Sequence, residues 1–187
     1  MSDSNLKIVV LGSAGVGKSC VIIRYLQNTF SETYDPTISN TYTKDVTSNG
    51  RTFHLEILDT AGMEDSNTLR ETYVKGRDCY IFMYGVEDRT TFDEINNIYQ
   101  DTLRISKSNS ISAIIIANKC DLDQESREVS FEEGKQLADS LNASFLETSA
   151  KTGLRINEAF QIAIDKAAEK HPETNSNQKK KGLCLLI

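Results

Sequence analysis

Residues 12–19 read GSAGVGKS, directly after a continuous apolar run, LKIVVL at 6–11. Such a run marks a strand buried on both faces, and burying both faces takes helices above and below a parallel sheet. Glycines at 12, 15 and 17 let the backbone curl until its N–H groups point inward, as a loop around phosphate oxygens must. A helix beginning at Lys18 adds a favourable dipole at its N-terminus. In such a loop Lys18 reaches the terminal phosphates and the Ser19 hydroxyl ligates Mg²⁺. The competing reading is a glycine-rich turn with an incidental Lys-Ser. The buried strand before it and the helical pattern after it favour the phosphate loop.

The rest of the chain fits that architecture. CYIFMY (79–84) and AIIIAN (113–118) are again continuously apolar. FHLEILD (53–59) alternates, SNTYTKDV (39–46) is polar enough for a sheet edge, and Asn49-Gly50 between them is a hairpin turn signal. Helices are predicted at about 18–28, 66–76, 90–106, 131–141 and 155–170, with Ser130 and Glu133 forming a capping box. The prediction is an α/β fold: a six-stranded, mostly parallel sheet with one antiparallel edge hairpin and helices on both faces. At 187 residues the length fits a single domain, and the net charge of −6 argues against a nucleic-acid partner. The start, MSDSNLKIVV, lacks the pattern of a secretory signal, and no apolar run approaches the roughly 18 residues of a membrane span. A cytosolic chain with reduced thiols at Cys20, Cys79 and Cys120 is expected. From His171 onward the periodicity stops, so residues 1–170 read as the folded domain and 171–187 as a flexible basic tail.

Further segments carry chemistry at strand ends. In DTAG (59–62), Asp59 is placed to hold Mg²⁺ through a water and Gly62 to offer its N–H to the last phosphate. NKCD (118–121) ends an apolar strand, where open α/β sheets bind ligands. The carboxylate of Asp121 only accepts hydrogen bonds, so it suits the adjacent N–H donors of guanine and repels the lone pair adenine presents there. A site built for donors rejects the wrong base by roughly 10⁴–10⁵. Asn118 can brace neighbouring loops and the Lys119 stem can cover the base. In TSAK (148–151) the Ala150 N–H could meet the guanine oxygen, although so short a motif is a weak signal by itself.

Taken with YDPTI (34–38) and EILDTAG (56–62), these segments make the chain resemble the Ras superfamily of small GTPases over residues 6–170, and the Ras family most. The resemblance implies a P-loop G domain at 1–170 that binds GTP and GDP, uses Mg²⁺ and hydrolyses GTP as a switch in signal transduction. It implies loops held by the last phosphate that relax on hydrolysis. Nucleotide contacts carry over to Ala14, Gly15, Val16, Gly17, Lys18, Ser19, Cys20, Phe30, Tyr34, Thr37, Gly62, Asn118, Lys119, Asp121, Ser149, Ala150 and Lys151. Metal contacts carry over to Ser19, Thr37 and Asp59, and catalytic positions to Lys18, Thr37, Gly62 and Met63. Phe30 would pack on guanine; read without the resemblance, it is a core or staple residue after the first helix. The family's partners would be an exchange factor, a GTPase-activating protein and effectors meeting residues 32–42 and 62–77, with the chain itself a monomer.

The last residues, KKKGLCLLI (179–187), end in a C-a-a-X prenylation pattern at Cys184. The branched Ile187 leans towards geranylgeranyl. One lipid chain anchors only marginally, and Lys179, Lys180 and Lys181 form a fitting second signal. The cytoplasmic face of a membrane is therefore expected, the plasma membrane first.

The chain departs from the family pattern at three places. Ala14 stands where Ras proteins have glycine, in the space an arginine finger and the attacking water need. Ser39 and Asn40 replace the acidic pair that usually follows YDPTI, which weakens the match to basic effector faces. Met63 stands where a glutamine usually orients the water, and it has no strong donor or acceptor. Met63 is either a missing catalytic part or a loop residue whose role a partner supplies. Slow intrinsic hydrolysis is the first expectation, and a largely GTP-bound recruitment module is the alternative. A phosphotransferase such as a nucleoside monophosphate kinase is disfavoured, because no Arg-rich acceptor lid is present.

Overall fold

The computed structural model describes residues 5–30, 39–62 and 67–172. The elements run β1 (Asn5–Leu11), α1 (Lys18–Gln27), β2 (Ser39–Ser48), β3 (Arg51–Thr60), α2 (Asn67–Val74), β4 (Cys79–Gly85), α3 (Arg89–Ser106), β5 (Ala113–Asn118), α4 (Phe131–Ser140), β6 (Ser144–Glu147) and α5 (Ile156–Ala168). The six strands lie in the order β2-β3-β1-β4-β5-β6, with β2 antiparallel to β3 and every other pairing parallel. The predicted α/β sheet with its edge hairpin is the sheet observed.

Alternation along the strands sorts the core into two layers. In β1, Ile8 and Val10 face Val21 and Ile22 of α1 and Phe160 and Ile164 of α5. Val9 and Leu11 face the opposite layer, with Val74 of α2, Ile95, Ile98 and Tyr99 of α3, and Ala138 of α4. A strand clamped this way has no polar face, which is why β4 and β5 are apolar up to their ends and β1 is apolar but for Asn5 and Lys7 near its start. The polar β2 is exposed at seven of its ten positions, as an edge strand can be. At its end the chain reverses through Asn49 (φ 50°) and Gly50 (φ 74°), both left-handed as a two-residue hairpin turn of type I′ requires.

Local signals set the helix starts. Ser130 caps α4, its hydroxyl oxygen accepting from the Glu133 N–H at 3.3 Å while the Glu133 carboxylate accepts from the Ser130 N–H at 2.9 Å. Those bonds to Ser130, helped by Arg89, hold the Glu133 carboxyl at about 2. The ends of α2 and α5 fall inside the predicted 66–76 and 155–170 by a few residues, which is ordinary for helix ends. Burial pushes the Cys20, Cys79 and Cys120 thiols up, Cys79 to about 12, and all three are free, as expected. No helix among the described residues is long and apolar enough to cross a membrane.

The α4–sheet contact is tight at Gly134. A Cβ there would lie 2.3 Å from the Tyr84 hydroxyl oxygen and 2.5 Å from Cζ of Phe145. Alanine would improve the helix by about 1 kcal/mol, but forcing apart a fully buried tyrosine and its neighbour costs about 1–3 kcal/mol. Gly134→Ala is therefore expected to destabilise the domain by up to roughly 2 kcal/mol net, read as a lower urea midpoint at fixed nucleotide. An unchanged or raised midpoint would show that the contact relaxes freely.

Candidate functional site

The parallel register brings the ends of β1, β3, β4 and β5 to one edge of the sheet: Val10 pairs with Asp59, Leu11 with Phe82, and Gly85 with Asn118. The loop after β1 closes over that edge. Gly12 passes so near β4 that a Cβ would stand 2.2 Å from the Met83 carbonyl oxygen. Gly15 (φ 77°) and Gly17 (φ 93°) take left-handed conformations that side chains resist. Gly17 is also the N-cap of α1 and contributes no side-chain cap, and the first turn of α1 carries no acidic residue. The helix therefore presents bare N–H groups and a positive dipole end, which suits an anion. Lys18 is only 6% exposed, and its ammonium donates to the carbonyls of Gly12 at 2.9 Å and Ser13 at 2.8 Å. That places a positive charge inside the loop, as the phosphate reading requires. Ser13 anchors the loop from outside, its hydroxyl donating to Glu94 of α3 at 2.7 Å.

Asp59 is fully buried, and among the described residues neither carboxyl oxygen has a hydrogen-bond partner. Burial raises its pKa. The Ser19 hydroxyl and the Lys18 ammonium pull the other way, close enough to favour the carboxylate without a hydrogen bond of good geometry. A buried carboxylate beside a helix-start serine, under a phosphate loop, fits a divalent cation: the orphaned oxygens can accept from a metal-bound water, and the metal would remove the cost of the charge. Its neighbour Thr60 locks the strand end, donating its hydroxyl to the Val10 carbonyl at 2.7 Å. Gly62 touches the loop across the edge, since a Cβ on it would lie 2.6 Å from that of Ala14.

The base side is built around Asn118, 2% exposed. Its Nδ2 donates to the Val16 carbonyl at 2.9 Å. Its Oδ1 accepts from the Thr148 hydroxyl and the Ala150 N–H, both at 3.2 Å. The expected brace is thus observed, and the Ala150 N–H, expected to face the base oxygen, is here donated to Asn118. Ser149 is buried and accepts from Thr152 N–H at 3.0 Å, so it shapes its own loop. Lys119 (φ 66°) is half-buried, Asp121 and Lys151 are exposed, and Val16 is buried within the loop. Phe30 packs partly buried against the α1–α5 core layer, as the reading without the resemblance expects. Cys20 lies in the first turn of α1, half-buried. Tyr34, Thr37, Met63, Lys179–Lys181 and Cys184 lie outside the described residues.

Sequence reasoning missed three participants. Thr148 was quoted but given no role. Glu87 pairs with the Lys119 ammonium, and its other oxygen is buried without a partner among the described residues. Arg24, on α1, donates from Nε to the Ala150 carbonyl at 2.7 Å. Lys119 and Glu87 are separated by 32 residues and Arg24 and Ala150 by 126, and no local pattern signals either contact.

Comparison with known proteins agrees with this geometry. Residues 7–169 match the Ras family. The chain is 44% identical over 158 residues to Ras-like protein 1 of Saccharomyces cerevisiae, an alignment covering 84% of this chain and about half (51%) of that protein. It is 39% identical to Ras-like protein rasB of Dictyostelium discoideum over the full length of both. With Ras-like protein rasS of the same organism it shares 36% identity, over 98% of this chain and 99% of that one.

The buried carboxylate gives a pH-dependent test. Its folded pKa is raised above the ordinary 3.8, so without metal its charge costs stability, and that cost grows as pH rises from the unfolded value through the folded one. In GDP-loaded protein with excess chelator, Asp59→Asn is expected to be at least as stable as wild type at neutral pH. With Mg²⁺ the order reverses, and the Mg²⁺ concentration needed to slow GDP release rises roughly 10–100-fold. An unchanged Mg²⁺ requirement would remove Asp59 from the metal site.

Proposed function

The chain belongs to the Ras family of small GTPases, and from that premise we propose a slowly hydrolysing GTP/GDP switch anchored to the cytoplasmic face of a membrane, the plasma membrane first. Hydrolysis of GTP to GDP and phosphate is the family's reaction. In this chain the inward N–H groups of residues 12–17 and the Lys18 ammonium hold the phosphates, and Asn118, Lys119, Asp121 and the 148–151 loop hold the base. Ser19, Thr37 and Asp59 would hold Mg²⁺, which when bound neutralises charge on the phosphate oxygens. Nothing in that set activates the attacking water; in this family a glutamine does so, from the position Met63 fills.

The observation that carries slow turnover is the contact between Ala14 and Gly62. The Cα and backbone N of Ala14 lie 2.7 Å from where a Gly62 Cβ would be, so residue 14 abuts the residue preceding Met63. Its methyl group adds bulk where a water and an arginine finger must enter, and methionine offers no group to orient that water. The same two residues support a second reading, a recruitment module that stays GTP-bound. GDP on freshly purified protein supports the switch and GTP the module. Exchange factor, activating protein and effectors are proposed as partners, the effectors meeting residues 32–42 and 62–77. Ser39 and Asn40 are exposed on the edge strand and uncharged, so an effector with a strongly basic face gains little there. Anchoring is proposed through a prenyl group on Cys184 with Lys179–Lys181 as the electrostatic partner.

Single-turnover phosphate release tests the chemistry. Met63→Gln with Ala14→Gly is expected to restore stimulation by a Ras-type activator beyond either change alone, since both serve one transition state. The arginine such an activator supplies is worth roughly 10³–10⁵ in rate, a range that comes from Ras itself. Wild type responding as strongly as the double variant would make Met63 a loop residue whose role the partner fills. For the anchor, Cys184→Ser is expected to move the protein from the membrane to the soluble fraction of cells, and equal membrane fractions would refute it.

A further inference from the structure

Arg24 lies in the last turn of α1, the helix whose N-terminus closes the phosphate loop. Each of its three guanidinium nitrogens donates to a backbone carbonyl. Nε donates to the Ala150 carbonyl at 2.7 Å, Nη2 to the Lys151 carbonyl, and Nη1 to the Asn28 carbonyl at 3.0 Å. Asn28 ends α1 in a left-handed conformation (φ 55°), and its N–H returns to the Arg24 carbonyl at 3.0 Å. The guanidinium carbon also stands 6.0 Å from the centre of the Phe30 ring. Gly153 (φ 83°) turns the 148–153 loop back beside the Arg24 stem. One side chain thus joins the end of α1, Phe30 and the loop expected to meet the base.

Only a planar fork can serve these acceptors together. Arginine presents several N–H donors in fixed directions, whereas lysine has one nitrogen at a point. No carboxylate neutralises Arg24 among the described residues, so its bonds to the loop carbonyls are charge-assisted. They fix the peptides of Ala150 and Lys151, and with them the placement of the Ala150 N–H, which in this structure is donated to Asn118 Oδ1 at 3.2 Å.

We propose that Arg24 is a positioning residue for guanine recognition: it sets the 150–151 backbone against the oxygen edge of the base and ties that edge mechanically to the phosphate helix. The proposal rests on the reading of residues 148–151 as part of the base site. Asp121 reads the base donors; Arg24 governs the acceptor oxygen, without touching it.

The test compares release of GDP with release of 6-thioguanosine diphosphate. The analogue keeps both ring donors but replaces the oxygen with sulfur, a poor acceptor. Full-length protein is used, as wild type, Arg24→Ala and Arg24→Lys. Wild type is expected to release the thio analogue faster. Arg24→Ala is expected to release GDP about tenfold faster or more, the scale of a lost charge-assisted bond, with the preference for GDP over the analogue collapsing towards equality. Arg24→Lys, which keeps the charge and most of the stem packing, is expected to stay nearer Ala than wild type, and it carries the measurement if the Ala variant does not fold. Both nucleotides speeding up equally, with the preference intact, would make Arg24 a merely structural residue and overturn the proposal. So would unchanged release, or full rescue by lysine. If wild type itself does not distinguish the two nucleotides, the 148–151 loop does not read the oxygen, and the base-site reading and the proposal fail together; that result is separate from any effect of Arg24.

Discussion

The buried amide of Asn118 is the constraint on which the site depends. Its side chain bonds the phosphate loop at Val16 and the last strand's loop at Thr148 and Ala150, joining segments 102 and up to 32 residues away. The fit is tight on the phosphate-loop side, since a Cβ on Gly17 would stand 2.6 Å from the Asn118 Nδ2. Aspartate would lose the donor, and an apolar side chain would strand a carbonyl, a hydroxyl and an N–H, each orphan costing about 1–3 kcal/mol. Parallel pairing makes this possible. Because β1, β5 and β6 end on the same edge, loops far apart in sequence are delivered to within one side chain's reach.

The two buried charges of the site are handled differently. Lys18 satisfies its ammonium on loop carbonyls that it itself helps to curl, so the charge is stabilised by the protein alone. Asp59 has no such provision and keeps both oxygens bare within the core edge. A protein selected for stability alone would carry an apolar or amide side chain there. The carboxylate makes physical sense as a group whose partner arrives from outside, with the cation that accompanies phosphate.

Much of this was legible in the sequence because the signals are local and the physics strict. Continuous apolar runs have few homes other than a two-sided core. Asn49-Gly50 reads as a two-residue turn because both residues tolerate positive φ, and the observed angles are positive. Ser130 and Glu133 announce a helix start by spacing alone, and GSAGVGKS carries its own geometry in its glycines. Phe30 was ambiguous, because an aromatic after a helix can serve either core or ligand; the structure packs it on the core layer. Arg24, Glu87 and Thr148 were illegible for the opposite reason. Their roles come from contacts set by tertiary placement, and an arginine on a helix surface or a glutamate after a strand looks like any solvated charge until its acceptors are known.

Helix α1, ten residues and so roughly 15 Å long, has the phosphate grip at its start and the Arg24 clamp near its end. If Arg24 sets the base loop as proposed, a nucleotide held by the phosphate loop and by that base loop is a bivalent ligand on a rigid spacer. Each foothold alone holds less firmly than the pair. While one is engaged, the other sees its half of the ligand at a very high effective concentration and rebinds before it can diffuse away. Retention is then a chelate effect more than a sum of contacts, and the helix contributes by not bending. A catalyst of exchange has no need to defeat the whole binding energy: prising open either end long enough to stop rebinding leaves the other end with a monovalent, short-lived grip.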